Sequence, residues 1–403
     1  MAKLIWTHLS RVVILAAIAT GGLGEAQDKA PPPFQLEYVE SAVDGELDAP
    51  TSVVVSPDGR FVYASAYKSG SHAVFSRDQK TGMLKVVQTV QKEHLGGSTA
   101  LRLSKDGNLA AAASFRGRAV SLYLRDPDSG LLTNADIARS GQPFNLRLQY
   151  PIDLSFSHDG RFVDVLDSSN VAVFEVVSDD GSPALKFVES FSDPALVSGR
   201  GIYHHPSGKY VFVASNRNHS LVVLERDEDS GRLSRVAVVE DESDGATGLE
   251  SVFGVTGTAD GATIYTVSGQ HGKGDDSVSV FSFDDGQIEA AQCIVPFDDE
   301  LGRITYFNLN RDAEKLTEVF RGGNEVAVSP DETMVVACAT LSASLAVFSR
   351  DQQTGRLTMI QIVLSKEQLS GVSGIGFSPD NRHVYSANEF RDTISVFQVN
   401  QSE

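Results

Sequence analysis

The strongest constraint on this chain is a segment that occurs seven times: a Ser-Pro-Asp-Gly-type turn, an apolar strand, a polar loop and a second apolar strand. The copies begin at Ser56, Ser104, Ser157, His205, Thr258, Ser329 and Ser378, spaced 48, 53, 48, 53, 71 and 49 residues apart. A period of roughly 40–50 residues is the size of one four-stranded propeller blade. In the first copy, Thr51 to Val55 is a β-branched run that reads as an innermost strand. Pro57, Asp58 and Gly59 supply turn chemistry: Pro presets φ, Asp bonds its own backbone and Gly tolerates a positive φ. Phe61 to Ala66 and His72 to Ser76 read as the second and third strands, and a hairpin from Arg77 leads to a fourth, Leu84 to Val90. The same hairpin returns from Arg125, Arg226 and Arg350. Four short strands per unit with no helical period predict an all-β fold, a single seven-bladed β-propeller of four-stranded antiparallel blades.

The two ends explain each other. The last copy stops at Glu403 without a fourth strand, while FQLEYVESAV from Phe34 resembles the fourth strands KVVQTVQKE and TMIQIVLSK. The N-terminal strand is therefore expected to close the ring, which removes two exposed edges. The propeller domain is expected over residues 34–403, with an insertion at about 293–321 that could form an extended hairpin over one face.

Ahead of the ring, Lys3 and Arg11 flank an apolar run, Val12 to Ala19, followed by small residues up to Ala26. The run is too short to span a bilayer and reads as a signal peptide, residues 1–26, with a linker over 27–33. Export to a periplasm or beyond is expected, with no membrane insertion once the signal is removed. A net charge of −19 argues against nucleic acid as a partner. Cys293 and Cys338 fall in different blades and are expected to be unpaired. Turns such as Asp126 to Gly130 lack the further ligands of a calcium loop. No metal-binding, phosphate-loop or nucleophile-elbow pattern occurs, so neither a metal nor a cofactor is expected. The chain is expected to be monomeric.

Ligands of propellers meet the central channel where the chain enters each innermost strand and where strands two and three join. Counting back four or five residues from each repeat start gives the entering positions: Thr51, Thr99, Asp153, Arg200, Phe253, Asn324 or Glu325, and Ser373. An Arg and carboxylates around one channel could hold an anionic or lactone-like ligand, because the guanidinium fork matches carboxyl oxygens. Such side chains could equally line a water-filled channel and satisfy one another. The loops between strands two and three add Asn216 and Glu389 to the polar set.

The repeats resemble the seven-bladed lactonase family, which includes propeller-type bacterial 6-phosphogluconolactonases and fungal carboxymuconate cyclases. The resemblance covers essentially the whole chain after the N-terminal segment. Its carriers are SPDGRFVYASAY, the Val-Phe-Ser-Arg-Asp hairpins, and the fourth-blade stretch SGRGIYHHPSGKYVFVASNRNHSLVVLE. In that blade Arg200, His205, Pro206, Gly208, Lys209, Tyr210 and Val213 fit the family pattern, whereas Gly201, Ser215 and Asn216 stand where it has His, Asn and Glu. The resemblance implies a lactone or other sugar-derived small molecule as ligand. On that reading Arg200 would meet the carbonyl oxygen; counting within the repeats offers Glu325 or Glu389, from other blades, in place of the missing family residues to activate water, with His205, Asn216, Asn324 and Asp153 expected to hold the substrate. The departures leave a second reading open, a non-catalytic propeller that recognises a protein or glycan through a patch such as Ile304 to Phe307.

Overall fold

The computed structural model describes residues 33–141, 146–269, 274–294, 304–306 and 319–401. The segment read as a signal peptide and linker lies outside them, apart from Pro33. The described chain forms seven sheets, each built on four antiparallel strands, six from consecutive strands and one from the two ends. Phe34–Ala42 pairs antiparallel with Thr393–Gln401 and is the outermost strand of blade seven, so the ring closes as the sequence predicts. The closing strand also makes the brace that links outer strands around the ring. The Gln361 side chain of blade six accepts from Leu36 N (2.8 Å) and donates to Leu36 O (3.0 Å), as Gln88 does for Leu132 and Gln292 for Leu357.

Each repeat turn is locked by its own side chains. In the first, Ser56 Oγ donates to Asp58 Oδ1 at 2.6 Å and accepts from Phe61 N at 3.0 Å, with Gly59 at φ 69°. The second strand of each blade is almost wholly buried, and the core lies between blades. One cluster joins Phe61, Tyr63 and Val74 of blade one to Leu101, Ala112 and Tyr123 of blade two. At four of the seven junctions an Arg at the end of a third strand reaches into the preceding blade: Arg77 to Tyr385, Arg125 to Tyr63, Arg226 to Asp164 and Arg350 to Tyr265.

Most of the insertion lies outside the described residues. What is described differs from a hairpin of its own: the backbone of Ile304–Tyr306 pairs in parallel with Leu357–Leu364, adding a fifth strand to the outer edge of blade six. The side chains of the proposed apolar patch there are not described. Cys338 is buried and Cys293 exposed, and both are free thiols.

Candidate functional site

Every innermost strand carries a register irregularity at the point where the chain enters it, as between Gly199 and Gly201 and between Gly323 and Val326. A regular strand alternates its faces, so two successive residues cannot both point into a channel. The irregularity re-aims one of them, which is why Arg200 and Gly201, and Asn324 and Glu325, line one cavity together. That cavity, about 430 Å³, sits at the strand-entering mouth of the channel. It receives Thr51, Thr99, Asp153, Arg200, Phe253, Asn324, Glu325 and Ser373, together with Glu389 from the blade-seven loop. All the entering positions named from the repeat thus converge, from seven blades.

The centre of the cavity is an ion-pair cluster. Arg102 Nη2 lies 3.0 Å from Asp153 Oδ1 and 3.6 Å from Glu325 Oε1, and Arg102 Nη1 donates to Ser52 Oγ at 2.8 Å. Asp153 also accepts from Leu154 N and Ile202 N, and Glu325 Oε2 accepts from Ile375 N at 3.0 Å. One cation faces two carboxylates, all three side chains partly buried. Burial raises both carboxyls while Arg102 pulls them down, and Asp153 adds like-charge repulsion to Glu325, which is pushed up to about 7. Glu325 therefore exchanges its proton near neutrality, as a general base must.

Arg200 is different. Its guanidinium carbon stands 5.6 Å from the Phe253 ring centroid, and its Nε is buried without a hydrogen-bond partner. Among the described residues it has no carboxylate partner, and burial and nearby Arg217 both push its pKa down. It remains a cation at neutral pH and lines the cavity. Glu389 is raised by burial, against the pull of Lys68. Asn324 is committed on one side, its Nδ2 donating to Thr340 Oγ1 at 3.0 Å.

Two residues expected at the site lie elsewhere. His205 occupies the Ser slot of its turn at the other end of the strand: its Nδ1 meets Ser207 Oγ at 2.7 Å, its Nε2 meets Gly261 O at 3.2 Å, and its ring packs against Tyr210 and Phe283. It replaces the hydroxyl that locks the other turns and does not line the cavity. Asn216 is also outside the cavity, with Nδ2 donating to Val252 O at 3.1 Å. Asn388, adjacent to Glu389, is fully buried among Ser386, Thr393 and Ser395.

Arg102 is the residue that the sequence reading missed. It stands two positions before its repeat start, where the other blades carry Val54, Ser155, Tyr203, Thr256, Ala327 and Gly376. A long cation at a position otherwise small, apolar or hydroxylic was the available signal. Gly201, the departure from the family pattern, has a packing reason: a Cβ there would fall 2.6 Å from Phe253 O of the next blade. Among the described residues no group of three or more His, Cys, Asp or Glu side chains is disposed to hold a metal ion.

A family model described as a seven-bladed β-propeller lactonase matches residues 10–148 and 154–315. The chain is 23% identical over 204 residues to an uncharacterised protein of Lactococcus lactis, covering 50% of this chain and 52% of the relative. It is 24% identical over 166 residues to the 6-phosphogluconolactonase of Bacillus subtilis, covering 41% of each. The chain thus spans about half the length, or less, of these curated relatives. Among solved structures, a protein from Lactobacillus plantarum superposes with TM-score 0.63 at 17% identity, covering 83% of this chain and 89% of that one. The periplasmic gluconolactonase of Pseudomonas aeruginosa gives 0.60 at 19% identity, covering 80% and 86%. The hydrazine synthase of Kuenenia stuttgartiensis gives 0.62 at 17%, covering 90% and 99%. At these identities the structural likeness speaks for the fold alone.

Proposed function

Because this chain belongs to the seven-bladed β-propeller lactonase family, we propose that it hydrolyses a lactone in the cavity at the strand-entering mouth, with Glu325 as general base and Arg200 as the oxyanion partner. The observation that carries the reading is the pairing, in one cavity, of a carboxyl raised to about 7 with a guanidinium that has no carboxylate partner among the described residues. In the proposed step, Glu325 takes a proton from water as the water oxygen bonds to the lactone carbonyl carbon. The carbonyl oxygen becomes an oxyanion that the Arg200 cation stabilises. Collapse breaks the ring C–O bond, and the departing alkoxide takes the proton back from Glu325, leaving a hydroxy acid. Arg102 and Asp153 position Glu325 and set its proton affinity; Asn324 and Glu389 line the space that the ring would occupy. We further propose that residues 1–26 export the protein, so that the substrate is a lactone met outside the cytosol.

The test is pH-stat hydrolysis of a panel of lactones by the purified chain, with Arg200→Ala in parallel. Turnover that collapses in the variant supports the reading. Turnover untouched by it moves the site elsewhere, and no turnover above the spontaneous rate on any lactone favours a binding propeller.

A further inference from the structure

In the six blades where it is described, the residue two positions after the second strand differs from one side of the ring to the other, with Ser169 in blade three. In blades one, two and four it is Lys68, Arg116 and Arg217; in blades six and seven it is Leu341 and Phe390. Leu341 is 48% exposed and Phe390 60% exposed. Each is tied to the cavity by its neighbour in sequence: Glu389 lines the cavity, and Thr340 holds the lining residue Asn324. Each also lies over the glycine that leads into its blade's innermost strand, Leu341 over Gly322 and Phe390 over Gly371. These side chains are set by local packing, yet they present their outer faces to solvent beside a polar cavity.

We infer that the substrate's lactone ring carries an apolar chain, seated on Leu341 and Phe390 while the ring occupies the cavity. The inference rests on the hydrolase reading for the identity of the ring, and the geometry orients the ligand. Both candidate bases, Glu325 and Glu389, belong to the two blades with the apolar rim, whereas Arg200 and Arg217 belong to blade four. A chain running out over blades six and seven leaves the carbonyl oxygen free to turn toward Arg200. A bare sugar lactone, hydroxylated around its whole ring, would leave these two exposed apolar side chains in adjacent blades without a partner.

The test uses the full chain with two sets of probes: δ-valerolactone and its 6-propyl and 6-heptyl derivatives for turnover, and the matching δ-lactams, which resist hydrolysis, for equilibrium binding. The expected result is tighter lactam binding by roughly two- to fourfold per added methylene over the first few carbons. The Leu341→Ser/Phe390→Ser double variant is expected to flatten that gradient, and circular dichroism with thermal melting confirms that it is folded. A dissociation constant independent of chain length, or a gradient unchanged in the double variant, overturns the inference. The two readings fail separately. A binding gradient without turnover of any lactone sinks the hydrolase and leaves the apolar seat, whereas turnover of δ-valerolactone with a flat gradient does the reverse.

Discussion

Arg102 Nη2 lies 3.6 Å from Glu325 Oε1 although the two residues stand on blades two and six. The guanidinium spans the channel and meets Asp153 of blade three on the way, at 3.0 Å. The candidate base is therefore held by the closed ring rather than by its own blade, and its chemistry depends on side chains far apart in sequence.

The rate should follow the protonation of Glu325. With its pKa pushed up to about 7, kcat/KM for a responsive lactone is expected to rise with pH through a midpoint near 7 and level off above it. Glu325→Gln should lower the plateau by roughly 10²–10⁴-fold, the usual contribution of a general base. A profile flat from pH 5 to 9, after subtraction of the spontaneous rate, would exclude this residue.

Stability should show the same proton with the opposite sense. The folded-state pKa of Glu325, about 7, lies above its ordinary 4.5, so the folded chain binds the proton more tightly than the unfolded chain. The resulting stability is complete below about pH 4.5 and is lost as pH rises toward 7. Glu325→Gln is expected to melt within a degree or so of the parent at pH 4 and roughly a few degrees above it at pH 8. Differential scanning calorimetry at the two pH values reads this directly.

Arg102→Met removes the one cation between two carboxylates. The Glu325 pKa, already raised, should climb further, moving the midpoint of the rate profile upward by roughly a unit or more. Melting at pH 8 should fall more than at pH 5, because only the charged carboxylates miss the guanidinium. Arg102→Lys, which keeps the charge but not the fork, should restore part of both.

Gly201→Ala tests why this chain departs from the family pattern at that position. A Cβ there would meet Phe253 O at 2.6 Å, a backbone atom that cannot swing aside. The substitution is expected to destabilise by about 1–3 kcal/mol, the usual cost of overpacking, measured by denaturant unfolding. Gly201→His should fare no better and should not raise turnover.

Removing residues up to Ala42 takes away the outermost strand of blade seven. It bares the edge of Thr393–Gln401 and withdraws Phe34 and Leu36, 7% and 2% exposed, from the core. The truncated chain is expected to unfold at lower denaturant and to aggregate through its open edge. Size-exclusion chromatography coupled to light scattering separates that outcome from a monomeric ring.

The seven turns, their spacing and the FQLEYVESAV segment were enough to predict the all-β ring and its closure, because turn chemistry and strand alternation are local properties of the chain. Position within the repeat also carried the channel-mouth residues, since the same offset in each blade reaches the same height in the ring. His205 was misplaced because its family likeness outweighed its slot in the turn, where the imidazole stands in for a serine hydroxyl. Arg102 and the proton affinity of Glu325 were beyond reach for another reason. Burial, and the convergence of blades two, three and six on one point, arise only when the ring closes. The same closure leaves Leu341 and Phe390 in the open beside the cavity, where their sequence shows only two apolar loop residues among polar ones. Local pattern settled the architecture; the meeting of distant side chains in one partly buried cavity set the charge balance there, because charge interactions depend on distance and solvent rather than on order along the chain.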